Sequence, residues 1–173
     1  SDLKVVDKIT GVTINSKFNI DDYRLALGQA GGIAGKVGVT LDDFNTAIAS
    51  VAPLFASGSD AGTSFKTFLQ RLHPESKEAG KLMRMVGLMT KDGTSAFYDS
   101  AGQMKSMGEI AGALNTAFSK LNEQQLTYAA STIFGTDAMR FAIGLSKVSQ
   151  KEFGALGTEI AKVDAKQLAA DRM

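Results

Sequence analysis

Glycine is the residue that most constrains the fold of this chain. Of its 173 residues, 18 are glycine and only 2 are proline, and many of the glycines end a block in which apolar residues recur at helical spacing. Glycine is favoured directly after a helix because it adopts the left-handed backbone conformation without steric cost. The pattern therefore predicts an all-α fold, namely a compact domain of about seven helices joined by short turns.

One part of the chain departs from helical periodicity. Between Gly87 and Gly102 the apolar residues are interrupted by two clusters of turn-forming residues, which predicts a short β-hairpin near 88–105. The helices are predicted at 20–37, 40–56 and 60–72, in a short block after Pro74 that ends at Gly87, and in three blocks between 106 and 146.

Signals for helix N-termini accompany these blocks. A side-chain oxygen just before a helix accepts a hydrogen bond from one of its free backbone N–H groups, and a Glu or Gln three residues later can complete a reciprocal capping box. The expected capping residues are Ser59 or Asp60 for the helix at 60–72, Thr136 or Asp137 for the helix after Gly135, and the pairs Ser106 with Glu109 and Asn122 with Gln125.

The composition becomes more polar after Ser149. Four apolar residues then recur at alternating spacings of three and four, which is the heptad pattern of a coiled coil. This pattern predicts a C-terminal helix that extends toward a coiled coil. Its apolar residues are Phe153, Leu156, Ile160 and Val163.

The two ends of the chain suggest how it is divided. It begins at Ser1 instead of methionine and ends at Met173 inside a helical pattern, from which we expect a fragment of a longer protein. The first residues suit a short helix or strands equally. The expected parts are an N-terminal segment of undetermined structure at 1–19, a helical domain at 20–148 and the start of a longer helix or coiled coil at 149–173.

Charge and composition exclude several classes of function. Lys and Arg total 19 against 18 Asp and Glu, and both signs are scattered along the chain. A nucleic-acid-binding surface normally concentrates basic residues, so we expect no nucleic acid binding. The chain contains no cysteine, which excludes disulfides, zinc–thiolate sites and thiol catalysis.

No catalytic constellation is visible in the sequence. The sole histidine, His73, stands beside Pro74, and no Gly-x-Ser-x-Gly motif is present to position a serine nucleophile. Glu109 and Glu123, which could be proposed as paired carboxylates, lie in the first turns of predicted helices, where negative charge stabilises the helix dipole. We therefore predict no catalytic, cofactor-binding or metal-binding residue, and the chain is not expected to be an enzyme.

The glycines of the first predicted helix have two interpretations. Gly28, Gly31, Gly32 and Gly35 with Lys36 resemble a phosphate-binding loop, but Ala30 and Val37 stand where that motif needs Gly and Ser or Thr. Glycines four residues apart can instead let two helix backbones approach closely. We expect this packing role, and we expect the same face to bind other copies of the chain or other proteins.

Two short motifs carry the most specific information. In the first, apolar residues at i, i+4, i+7, i+8 and i+11 form one helix face that is suited to packing. The motifs are Gly58-Ser59-Asp60-Ala61-Gly62-Thr63-Ser64-Phe65-Lys66-Thr67-Phe68-Leu69-Gln70-Arg71-Leu72 and Ile133-Phe134-Gly135-Thr136-Asp137-Ala138. The residues expected to matter structurally are Gly58, Ala61, Gly62, Thr63, Phe65, Leu69, Arg71, Leu72, Phe134 and Gly135.

In this order the two motifs resemble a segment shared by phage tail tape-measure proteins. Members of that family carry Gly-Ser-x-Ala-Gly-Thr-x-Leu-Arg-x-x-Leu-x-Arg-Leu and later Leu/Ile-Phe-Gly-x-Glu/Asp-Ala. The similarity covers about 20–146 and includes Val86-Gly87-Leu88. Phe65 and Lys66 depart from it, because they replace the usual Leu-Arg.

The resemblance implies a structural function. It implies a component of a phage or prophage tail that acts in tail assembly and tail-length determination, in the virion tail lumen after assembly in the host cytoplasm. The implied partners are the tail tube protein, tail assembly chaperones and tail tip proteins. Separately, we expect self-association and no cofactor.

Two alternatives belong to other classes. Small-residue and amphipathic stretches also suit a membrane-active helical module that assists genome delivery through the host envelope, with membrane contact expected for the parent protein only. An envelope-degrading activity would lie elsewhere in the parent protein, as it does in some relatives.

Overall fold

The structure is a computed structural model that describes residues 18–171, with side chains described through Lys162. Nearly all of the N-terminal segment expected at 1–19 lies outside the described residues. The described part contains eight α-helices and no strand, which confirms the all-α prediction. The helices are α1 (Ile20–Lys36), α2 (Leu41–Val51), α3 (Gly58–Gln70), α4 (Lys77–Val86), α5 (Met107–Phe118), α6 (Glu123–Phe134), α7 (Thr136–Ser146) and α8 (Gln150–Asp171), with a short 3-10 helix at Ala52–Leu54.

The predicted capping boxes of α5 and α6 are both formed. The Ser106 hydroxyl accepts from the Glu109 N–H at 3.3 Å, and the Glu109 carboxylate accepts from the Ser106 N–H in return. In α6 the Asn122 side chain accepts from the Gln125 N–H at 2.9 Å, and the Gln125 side chain accepts from the Asn122 N–H. Both predictions are confirmed. Each capping box depends only on residues three positions apart, so the local sequence is enough to predict it.

The predicted caps of α3 and α7 are wrong. Helix α3 begins at Gly58, two residues earlier than expected, so Ser57 is the cap and its hydroxyl accepts from the Asp60 N–H at 3.1 Å. The earlier start is stabilised by Asp22, whose carboxylate accepts from the Gly58 N–H at 3.0 Å. Helix α7 begins at Thr136 directly after Gly135, and no side chain caps it.

The segment predicted as a hairpin forms two tight turns instead of paired strands. Single antiparallel bridges join Met89 to Ser95 and Tyr98 to Met104. Between them Phe97 is fully buried in the core. Because this ring holds the middle of the segment against the helices, the two halves turn separately.

Helix α3 lies at the centre of the fold. It packs against α1 on one side and α7 on another, while α6 packs on α4 and α7. Helix α8 packs on α5 and α2. One continuous set of buried apolar side chains connects these helices, and it includes residues from every helix of the described part.

The contact between α1 and α3 is a close approach of two backbones. A Cβ atom at Gly58 would lie 1.8 Å from the carbonyl oxygen of Asp22, and a Cβ atom at Gly62 would lie 2.6 Å from that of Ala26. Neither position has room for any side chain. Glycine is therefore required at both positions by the distance between the two helices.

The predicted packing role of the α1 glycines is wrong within the described residues. A Cβ atom at Gly28, Gly32 or Gly35 would have no heavy atom within 4 Å, and at Gly31 it would meet only Leu27 of the same helix. Helix α1 instead packs through alanines on its opposite face. These are Ala26, Ala30 and Ala34, all buried.

We expect opposite effects from adding a methyl group to the two kinds of glycine. Gly62→Ala should lower the free energy of unfolding by about 1–3 kcal/mol, because the added methyl group overpacks the α1–α3 contact. Gly32→Ala, the matched control on an open helix face, should raise it by about 0.4–1 kcal/mol. Urea denaturation measures both values, and an equal effect of the two changes would contradict the contact.

Candidate functional site

The two sequence motifs meet in the structure, and we call their contact the motif junction, formed by residues 58–72 and 133–138. The Ser64 hydroxyl donates to the carbonyl oxygen of Asp137 at 2.7 Å, across a separation of 73 residues. The rings of Phe68 and Phe134 lie 5.1 Å apart. The junction therefore joins α3 to the point where α6 ends and α7 begins.

The apolar face of the first motif is buried as predicted. Ala61, Phe65 and Leu72 are fully buried, and Leu69 is nearly so. Thr63 is exposed, which places it outside the buried part of the junction. The helix thus uses its glycines against α1 and its large apolar residues against the other helices.

A cluster of aromatic rings fills the junction. Phe65 stacks on Phe141 of α7 with centroids 4.5 Å apart and lies 5.4 Å from Phe44 of α2. Phe68 lies 5.3 Å from the same Phe141 ring. Offset and tilted ring pairs of this kind stabilise a core beyond the burial of their area. Phe141 is therefore shared by two successive turns of α3.

Gly135 connects α6 to α7 as a single linking residue. Its backbone has φ +82° and ψ 166°, a combination that residues with a side chain rarely adopt. A Cβ atom there would also lie 3.3 Å from the guanidinium of Arg71. Arg71 in turn pairs with Glu75, with its Nε 3.2 Å from the carboxylate. Arg71 of the first motif thus lies against Gly135 of the second motif at this corner.

His73 lines an open surface cleft of about 620 Å³ together with Ser95, Tyr98 and Asp99. The Asp99 carboxylate accepts from the backbone N–H groups of Ala101 and Gln103, both at 2.9 Å, so it stabilises its own turn. Partial burial raises the pKa of the Tyr98 hydroxyl. Among the residues that the structure describes, no group of three or more His, Cys, Asp or Glu could hold a metal ion.

Within residues 18–171, none of the helices is both long and apolar enough to span a membrane.

Several residues that build the site were not predicted from the sequence. Ser64 was not singled out, because its hydrogen bond to Asp137 depends on the tertiary fold. Asp22 lies in the first turn of α1, and its carboxylate also binds the start of α3, a contact that no local pattern indicates. The burial of Phe141 could have been predicted, since this residue follows the second motif at helical spacing.

Buried rings, glycine backbone contacts and a one-residue corner define a helical structural domain. The chain belongs to the phage-related minor tail protein family, whose sequence profile matches residues 3–135. It is also similar to the tape measure protein of Pneumococcus phage Dp-1, with 22% identity over 167 residues. These matches confirm the resemblance to tape-measure proteins.

The length of that relative limits what the similarity covers. The aligned part is 95% of this chain but only 14% of the phage Dp-1 protein. No solved structure matches the chain.

We expect the aromatic cluster to dominate the stability of the junction. Phe65→Ala should lower the free energy of unfolding by about 3–5 kcal/mol, because it leaves a cavity against Phe141 and Phe44. Tyr128→Ala, a control at a ring that is 54% exposed, should change it by about 0.5 kcal/mol. Guanidinium denaturation followed by circular dichroism distinguishes them, and comparable losses would exclude a central role for the cluster.

The corner at Gly135 should be sensitive to conformation. Gly135→Ala should cost about 1–3 kcal/mol, because alanine is strained at this positive φ and its methyl group would approach Arg71. Gly154→Ala, in open space on α8, is the matched control and should be neutral or stabilising. Thermal unfolding of both variants is the measurement, and a neutral Gly135→Ala would show that the corner tolerates a side chain.

Proposed function

We propose that this chain is a segment of a phage or prophage tape measure protein that acts in tail assembly and tail-length determination inside the tail tube. The observation that supports this most is the family match over residues 3–135, together with the similarity to the phage Dp-1 tape measure protein. The motif junction adds support, because the motifs that resemble the family are the ones that build the buried core.

Within that function we propose an assembly role for the segment at 20–148 instead of a ruler role. A helical ruler measures distance because each residue adds about 1.5 Å along an axis. Helices α1 to α7 are at most 17 residues long and share one core, so their residues do not add along one direction. In this proposal, tail length is determined by helical parts of the parent protein outside this domain.

We propose that the surfaces around the junction bind other tail components. Lys66 is exposed on α3 and the Arg71 side chain is one-third exposed, so both are accessible to a partner. The open face of α1 from Gly28 to Gly35 is accessible as well. The proposed partners are the tail tube protein, assembly chaperones, tail tip proteins and further copies, in the host cytoplasm during assembly and in the tail lumen afterwards.

We propose a structural and non-catalytic role for this segment. The buried motif residues are explained by packing, and Gly135 is explained by the backbone conformation of the corner. No contact among the described residues supports a membrane-active role.

In-frame deletion of residues 60–148 in the parent phage tests the assembly role. We expect normal tails to be lost, because the deletion removes the junction and most of the core. Tails that form normally but are shorter by about 130 Å, the helical rise of the deleted residues, would show a passive spacer instead. Electron microscopy of purified particles measures tail number and length.

A point variant separates folding from chain length in the same experiment. Phe65→Asp keeps the length constant but places a charge in the buried ring cluster, so it should also abolish normal tails. Gln124→Asp on the exposed side of α6 is the matched control and should leave tails unchanged. Normal tails with Phe65→Asp would contradict the proposal, because the junction would then be dispensable.

A further inference from the structure

The apolar stripe that predicts a coiled coil in α8 is already in use within the domain. Phe153 is 4% exposed and Ile160 is 1% exposed, and Leu156 packs partly buried against the same core. The helices that cover them are α5 and α2. The first two turns of the heptad pattern therefore face this chain's own helices.

Helix α8 approaches its neighbours too closely to be loosely attached. A Cβ atom at Gly112 would lie 2.9 Å from the Cβ of Gln150, and one at Gly108 would lie 3.3 Å from the Phe153 ring. On the α2 side, a Cβ atom at Gly157 would lie 3.6 Å from the Thr46 hydroxyl. We call this surface, formed by Gly108, Gly112 and Thr46, the α8 seat.

Hydrogen bonds fix the end of α7 and cap the first turn of α8. The Asn115 amide of α5 donates to the carbonyl oxygen of Ser146 at 2.9 Å, which fixes the end of α7. Three residues later the Ser149 hydroxyl accepts from the Glu152 N–H at 3.1 Å, and the Ser149 N–H donates to the Glu152 carboxylate at 3.0 Å. Hydrogen bonds from Ser149 hold the pKa of the Glu152 carboxyl below its ordinary value. The backbone N–H of Ser149 has the larger effect, and the Ser149 hydroxyl has the smaller one.

The outward face of α8 offers no second apolar stripe. Among its described side chains up to Lys162, the exposed ones are charged, polar or small, so another helix would find little to bury there. These residues are Gln150, Lys151, Glu152, Gly154, Ala155, Thr158, Glu159, Ala161 and Lys162.

We propose that α8 is a fixed exit from the domain. Its stripe stays on the α8 seat through Ile160, so these residues are not available for pairing with a second copy of the chain. Because α8 continues without a break to Asp171, its last turns leave the domain in one direction. Only the identification of this exit with the start of a tail rod rests on the proposed function.

The absence of cysteine allows the seat to be closed by a single engineered disulfide. In Thr46→Cys/Gly157→Cys the new sulfur at position 46 would occupy the place of the Thr46 hydroxyl, 3.6 Å from the added Cβ, which is within reach of a disulfide. The matched control is Thr46→Cys/Gly154→Cys. Gly154 lies on the open side of the same helix, so this pair should remain reduced.

The measurement is the mass of the full chain by light scattering, with the disulfide closed and reduced. We expect the disulfide to form within one chain and the mass to be the same in both states. A lower mass after oxidation would overturn the proposal, because it would show that α8 leaves its seat to pair with another copy. Failure of the disulfide to form, with the protein folded, would overturn it too.

A second measurement leaves the seat unaltered. Spin labels on Gln124→Cys/Lys162→Cys, both exposed in the native chain, report the distance between the domain and the exit of α8. We expect one narrow distance distribution, and a broad one would overturn the fixed exit. This result is independent of the tail phenotype, so loss of the proposed function would leave it unchanged.

Discussion

The backbone contact between α1 and α3 is the constraint on which the rest of the structure depends. Gly58 and Gly62 lie directly on the carbonyl groups of Asp22 and Ala26, so α3 takes a position on α1 that a side chain at either glycine would prevent. That position turns Phe65 and Phe68 toward α7, where they share the Phe141 ring. The aromatic core is thus oriented by residues that have no side chain.

Local sequence rules predicted the helices well. Where the structure differs from the prediction, a tertiary contact is the cause. The boxes at Ser106 and Asn122 were predictable, because both partners are three residues apart. The start of α3 was not, since it depends on a carboxylate 36 residues earlier in the chain. The conformation of the segment expected as a hairpin also depends on a distant contact, namely the burial of Phe97 among the helices.

Glycine spacing illustrates the same limit for the candidate site. Pairs four residues apart occur at Gly28 and Gly32, at Gly58 and Gly62, and at Gly108 and Gly112. The spacing shows only that each pair shares a helix face. The first pair faces open space while the other two touch neighbouring helices, and that difference depends on where the larger apolar residues of each helix lie. The motif residues were identifiable from sequence, but their meeting across α3 and α7 was not.

The two tight turns between α4 and α5 form the longest connection between described helices. Phe97 holds their middle in the core, whereas Gly93 and Gly102 lie at the tips, where an added Cβ atom would have no neighbour within 4 Å. Exposed loop tips of this kind tolerate inserted sequence far better than helix junctions do. They are therefore natural attachment points for a fluorescent or affinity tag, through which the domain could be followed inside assembling particles while its core stays intact.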